Sequence, residues 1–297
     1  MENSSVPLLL LALIAGQQAP PATEVYVASL AMGATPAASA PVVNISNSPG
    51  YDNQPSFLPD GSGVLFASGR NDQPTDIYRY VFATQQLTQL TTTPEAEYSP
   101  LVAPDRTSFT VIRVEADKTQ RLWRFDLDGT NPRLVLEHVK PVGYHLWIDE
   151  TRLALFVLGG AGQPNTLQLA DTKTGKAEVI DSGIGRSIQL RPGTRTVSYI
   201  VKPAGGQWVV KSFDPDTRAI TTLVETADKN TSEDTAWLGN WLLMSSGTSV
   251  LGWNGSGSWI TVGDFASAGI ARISRLAVAP AGAGITPRLA LVAEPRK

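Results

Sequence analysis

From residue 51 to residue 91 the apolar positions fall into four short blocks separated by turn-forming residues. The first two blocks are joined by Phe57-Leu-Pro-Asp-Gly61. Pro59 presets φ for the second position of a type I turn, Asp60 can hydrogen-bond its own backbone, and Gly61 relieves crowding at the exit. Val64-Leu-Phe-Ala67 follows, apolar without alternation, the pattern of a strand covered on both faces. Asp76-Ile-Tyr-Arg-Tyr80 and Leu87-Thr-Gln-Leu-Thr91 predict a third and a fourth strand. Four short antiparallel strands in about 40 residues cannot bury both faces of their sheet alone, so the unit needs copies of itself.

The copies are present. Pro59-Asp60 recurs as Pro104-Asp105, and the third-strand aromatic Tyr78 recurs as Trp123 at the same 45-residue offset. Later units hold Leu153–Leu158 with Leu167–Leu169, then Val197–Val201 with Trp208–Phe213, then Trp241–Met244 with Ser249–Trp253. The last copy has only Ile273–Ala279 and Arg288–Ala293, and its missing pair is matched at the other end by Thr23–Ser29 and Pro41–Ser46. The pattern predicts an all-β, six-bladed β-propeller of four-stranded blades closed by N-terminal strands, spanning residues 20–297 as one domain. Its blades fall at about 51–91, 97–137, 142–181, 186–225, 233–262, and 273–293 plus 23–46. A small-residue loop, Ala31–Ala40, joins the two closing strands. Asp126-Leu-Asp-Gly129, Asp171–Gly175 and Asp214–Thr217 mark hairpins between third and fourth strands.

The unit Gln54-Pro-Ser-Phe-Leu-Pro-Asp-Gly61, with Leu65-Phe-Ala-Ser68, Asp76-Ile-Tyr78 and Gln89-Leu-Thr91, resembles the WD-like propeller repeat of the TolB family. The likeness is sharpest in the first blade, fair in the second, and thins to spacing and apolar pattern beyond. It implies the fold over roughly residues 23–297, and it covers the propeller alone, without the α/β domain that precedes the propeller in TolB. TolB itself is the periplasmic propeller of the Tol–Pal system. The same repeat occurs in the propeller domains of prolyl oligopeptidase-like enzymes, where a separate domain does the hydrolysis.

Charge narrows the partners. With 24 basic and 27 acidic residues among 297, the net charge is −3, and no basic run supplies the counterion release that nucleic-acid binding draws on. No cysteine is present, which removes disulfides and thiolate chemistry together. Val6–Ala15 is apolar over the length of a signal-peptide core and too short to span a bilayer. Residues 1–19 are therefore expected to be an export signal, although no Lys or Arg precedes the run, and the mature protein to be a periplasmic or secreted monomer.

Candidate chemistry is sparse. No Gly-x-Ser-x-Gly elbow occurs, and the two histidines are His138 and His145. Asp126, Asp128 and Gly129 lack the glutamate that closes a calcium loop and read as turn chemistry. Asn44-Ile-Ser46 and Asn230-Thr-Ser232 fit the glycosylation pattern by coincidence. The tryptophans, Trp123 and Trp253 among them, read as packing between blades. Function in a propeller gathers on the face where fourth strands cross to the next first strand. That placement nominates Tyr51, Asp52, Arg70, Glu97, Tyr98, Tyr144, His145 and Arg186 as a mixed aromatic and charged ring at the channel. The expectation is a noncatalytic scaffold that binds a protein or peptide partner and needs no cofactor. The alternative is a hydrolase or lactonase whose metal sits in the channel at His145 with carboxylates such as Asp52 or Glu97. A propeller fragment of a larger peptidase is a third, weaker reading.

Overall fold

A computed structural model describes residues 22–295, apart from 71, 72, 229 and 283. The apolar run Val6–Ala15 lies outside the described residues. The two N-terminal strands are β1 (Glu24–Ala31) and β2 (Ala37–Asn44). Blade one follows with β3 (Tyr51–Phe57), β4 (Gly63–Gly69), β5 (Asp76–Val81) and β6 (Gln86–Gln89). Blade two has β7 (Ala96–Val102), β8 (Ser108–Val114), β9 (Gln120–Asp126) and β10 (Arg133–Leu134). Blade three has β11 (Val142–Trp147), β12 (Arg152–Val157), β13 (Thr166–Asp171) and β14 (Lys176–Ser182). Blade four has β15 (Ile184–Leu190), β16 (Val197–Val201), β17 (Val209–Phe213) and β18 (Ile220–Glu225). Blade five has β19 (Thr235–Leu238), β20 (Trp241–Ser246), β21 (Ser249–Trp253) and β22 (Ile260–Asp264). The last pair, β23 (Ile270–Val278) and β24 (Arg288–Pro295), joins the N-terminal strands in a sheet ordered β2-β1-β24-β23. The architecture is six antiparallel four-stranded blades, the sixth closed by the N-terminal segment.

The unalternating apolar runs have a direct cause. Six apolar clusters fill the gaps between neighbouring blades, and each second strand feeds two of them. Val64 and Phe66 enter the gap toward the closing blade, whereas Leu65 and Ala67 enter the gap toward blade two. In blade three Leu153, Leu155 and Val157 face one neighbour, Ala154 and Phe156 the other. Side chains alternate as in any strand, but both faces meet a core.

The turn after β3 behaves as its residues require. Gly61 N–H donates to the Leu58 carbonyl at 2.9 Å, Asp60 Oδ1 accepts from Ser62 N–H at 3.0 Å, and Gly61 sits at φ +69°. A Cβ at Gly61 would also lie 2.5 Å from Ile285 Cγ2. Two local expectations differ from the structure. The connection expected over Ala31–Ala40 is confined to residues 32–36, because β1 runs to Ala31 and β2 already starts at Ala37 and buries Ala38 against blade five. The fourth strand of blade two is only Arg133–Leu134, since Leu136 and Val139 leave the sheet edge to fill the core beside blade three.

First strands carry irregularities that matter at the channel. Register shifts fall between Asn53 and Ser56, between Tyr98 and Leu101, and between Ile273 and Arg275. Gln54 and Ser99, 45 residues apart, both adopt positive φ, and Gln54 Oε1 accepts the Ser99 N–H at 3.0 Å. Such bulges re-aim the side chains that follow them.

Candidate functional site at the channel mouth

Every blade delivers the start of its first strand to the same face, so six chain segments ring one end of the central channel. Each contributes one polar or aromatic side chain to a connected group: Tyr51, Tyr98, Tyr144, Arg186, Asp234 and Arg275. Tyr51 and Tyr98 meet edge to face with ring centroids 6.1 Å apart. Arg275, from the closing blade, reaches across the channel to blade three. Its Nη2 donates to the Tyr144 hydroxyl at 2.7 Å, and its guanidinium lies 5.0 Å from the centre of the Tyr144 ring. Arg186, from blade four, donates through Nη2 to the Ser274 carbonyl of the closing blade at 2.7 Å. The two guanidinium groups form a bar across the channel.

Asp234 stands between them. Its Oδ2 is 3.6 Å from Arg275 Nη1 and 3.7 Å from Arg186 Nε, and its Oδ1 accepts the Leu276 N–H at 2.9 Å. Burial pushes its carboxyl above its ordinary value against the pull of both arginines. Arg186 Nε is buried and has no hydrogen-bond partner. Above the bar a cavity of about 370 Å³ opens at the mouth, and below it lies an inner cavity of about 120 Å³. Arg186 and Arg275 line both.

His145 lines the inner cavity, one residue beyond Tyr144 on β11. Its Nε2 is 2.7 Å from Thr110 Oγ1, which also accepts from Trp147 Nε1 at 3.0 Å, and its Nδ1 has no partner. Burial lowers its pKa to about 3. The ring is neutral throughout the physiological range, so its NMR signals are expected to stay fixed between pH 5 and 8. A titration with a midpoint near 6.5 would place the ring in contact with solvent.

Three nominated residues lie elsewhere. Asp52 is buried between the closing blade and blade one, where its Oδ1 sits 3.4 Å from Arg70 Nη2. Arg70 also donates to Ser68 Oγ at 2.7 Å and to the Ser46 carbonyl at 2.8 Å. Burial pushes Asp52 up to about 6. Glu97 is fully buried at the gap between blades one and two, accepting from Arg113 Nε at 3.0 Å and from Thr93 Oγ1 at 2.5 Å. Burial, with Asp76 nearby, pushes it to about 7. The cause is alternation: Asp52 adjoins Tyr51, Glu97 adjoins Tyr98, and consecutive strand residues point to opposite faces. Neither carboxylate accompanies His145. Among the described residues no group of three His, Cys, Asp or Glu side chains could hold a metal ion. Asp234 and Arg275 were not nominated. Asp234 sits at the start of a first strand, the position that selected the others, and a search by position in each blade would have found it. Arg275 lies past the middle of β23, beyond the register shift between Ile273 and Arg275.

No family model matches the chain, and no curated protein matches it. Solved structures do. A TolB from Acinetobacter baumannii superposes with a TM-score of 0.61 at 14% identity over 93% of this chain. A TolB-type protein from Agrobacterium tumefaciens gives 0.69 at 14% identity, covering 92% of this chain and 98% of that one. The chain shares the TolB propeller fold. It spans 65% of the length of the Acinetobacter protein. An oligogalacturonate lyase in complex with manganese also matches, with a TM-score of 0.56 at 13% identity over 86% of this chain and 80% of that one. The fold therefore accommodates both TolB and a lyase, and function must be argued from the site.

Proposed function

We propose that the protein is a noncatalytic propeller scaffold of the cell envelope that holds a protein or peptide segment at its channel mouth. One observation carries the reading: the mouth cavity is walled by residues of blade one, the connection between blades four and five, blade five and the closing blade, and floored by the Arg186–Arg275 bar, so a ligand entering it is held at the rim. Its likeness in fold to TolB supports the same reading. An exported, monomeric protein, with residues 1–19 as its signal, is the setting that fits. Among the described residues no helix is long and apolar enough to cross a membrane.

A metal-dependent lyase or hydrolase is the second reading, favoured by the manganese-bound lyase of similar fold. It would place its chemistry at His145, the histidine of the inner cavity. That ring is engaged by Thr110, and the carboxylates nominated to join it face other blades.

The test is affinity capture from the organism's own envelope extract, with elemental analysis of the purified protein. A partner retained by the native protein is expected to be lost when Tyr98→Ala and Tyr144→Phe are combined, and kept when the opposite face is altered by Asp128→Ala. Stoichiometric metal with no partner would favour the enzyme, and a partner indifferent to the mouth variants would sink the mouth as the binding surface.

A further inference from the structure

The charges at the mouth do not all cancel locally. Glu233 is taken up by Lys202 at 2.5 Å. Asp228 accepts from the Ser232 N–H at 3.1 Å and from the Thr231 hydroxyl, which ties it to its own loop. Arg272 and Glu294 are cross-strand neighbours on β23 and β24. What remains is the bar: with Lys202, its two guanidinium groups make three positive charges against the two carboxylates of Asp234 and Glu233. Neither guanidinium is within hydrogen-bonding distance of a carboxylate, with Asp234 at 3.6 and 3.7 Å and Glu233 3.8 Å from Arg186. One buried donor, Arg186 Nε, is unused. The bar carries a surplus positive charge in a partly desolvated place, where a charge-assisted hydrogen bond is strong.

Resting on the scaffold reading, we propose that the bar recognises a carboxylate of the bound peptide, either an acidic side chain or a free C-terminus. Arginine suits the task because its planar fork pairs with both carboxylate oxygens. Tyr51 lines the mouth cavity beside the bar, and the Tyr144 hydroxyl holds Arg275 from the far side of the channel. An acidic sugar fits less well. Sugar rings stack on open aromatic faces, whereas the Tyr144 face is covered by Arg275 and its ring meets Phe156 at 5.5 Å. The Tyr51 ring is engaged with Tyr98.

The experiment is an NMR titration of the full protein with four synthetic peptides and one sugar. Acetyl-Gly-Glu-Gly-amide is compared with its Gln counterpart, Gly-Gly-Ala acid with Gly-Gly-Ala amide, and trigalacturonate is run alongside. Peptides with a carboxylate are expected to bind at the mouth about tenfold to a hundredfold more tightly than their amides, which is what a hydrogen bond to a charged group is worth. Arg186→Gln is expected to remove the difference, Arg186→Lys to restore part of it, and added salt to weaken it. Equal binding of acid and amide overturns the proposal, as does an absence of peptide binding or binding of trigalacturonate alone. If a captured protein partner is indifferent to Arg186→Gln but is lost with the Tyr98 and Tyr144 variants, the carboxylate inference fails while the scaffold reading stands.

Discussion

A chain lacking residues 23–46 is expected to aggregate instead of folding to a monomer. Strand β1 pairs with β24 over six residue positions, from Glu24 opposite Ala293 to Ser29 opposite Arg288. Without it, β24 becomes an open edge whose residues Leu289 to Ala293 are all apolar and fully buried in the native protein. An exposed edge of that composition templates pairing with other chains. The apolar loss is also large. Val25, Tyr26, Val27, Leu30 and Ile45 are buried, and at about 1.5–3 kcal/mol each they contribute on the order of 10 kcal/mol. That is comparable to the whole stability margin of an ordinary domain. Size-exclusion chromatography with light scattering checks the outcome, and a peptide of residues 22–46 added in trans is expected to recover monomer. A soluble monomer with an unchanged Tm would mean that closure does not hold the ring.

The strands were readable because burial on both faces leaves an unmistakable mark. Val64–Ala67 and Leu153–Val157 are apolar without alternation only where two cores meet one strand. Turns were readable through Asp60 and Gly61, whose backbone roles are local. The site was legible only to the level of the segment. First-strand starts could be located, but which residue of each turns to the channel depends on alternation and on the bulges at Asn53/Ser56, Tyr98/Leu101 and Ile273/Arg275. Hence Tyr51 and Asp52 were nominated alike although one lines the mouth and the other is paired with Arg70. The bar was beyond reach for a different reason: Arg275 and Tyr144 are 131 residues apart and meet only because the ring places blades three and six opposite each other. The short fourth strand of blade two was hidden because Leu136 and Val139 look the same in sequence whether they extend a strand or leave it.

Arg113→Met is expected to cost more stability at pH 8 than at pH 5. Glu97 has no exposed surface, and Arg113, itself buried, is its positive partner at 3.0 Å. Burial raises the Glu97 carboxyl to about 7, well above the value of about 4.3 for an unfolded chain. A carboxyl raised in the folded state contributes stability that is fully present below the unfolded value and is lost as pH climbs through the folded one. In the native protein that loss falls between about pH 4 and pH 7. With Arg113 gone, the ionised form loses its compensating charge, so Glu97 is pushed higher still and the loss extends into the alkaline range. Methionine keeps much of the aliphatic stem that packs near Trp123 and Phe125, so lost volume is a minor part of the effect. At pH 5 a cost of about 1–2 kcal/mol is expected, because the neutral acid leaves only unmade hydrogen bonds. At pH 8 the orphaned carboxylate takes up a proton rather than staying charged, and with a native value of about 7 that adds roughly 1.4 kcal/mol. Urea unfolding at the two pH values measures both figures. Adding Glu97→Gln to Arg113→Met should flatten the profile, since an amide has no charge to strand. An equal cost at both pH values would mean that Glu97 is already neutral at pH 8, and that Arg113 acts through its stacking on Trp123 and Phe125.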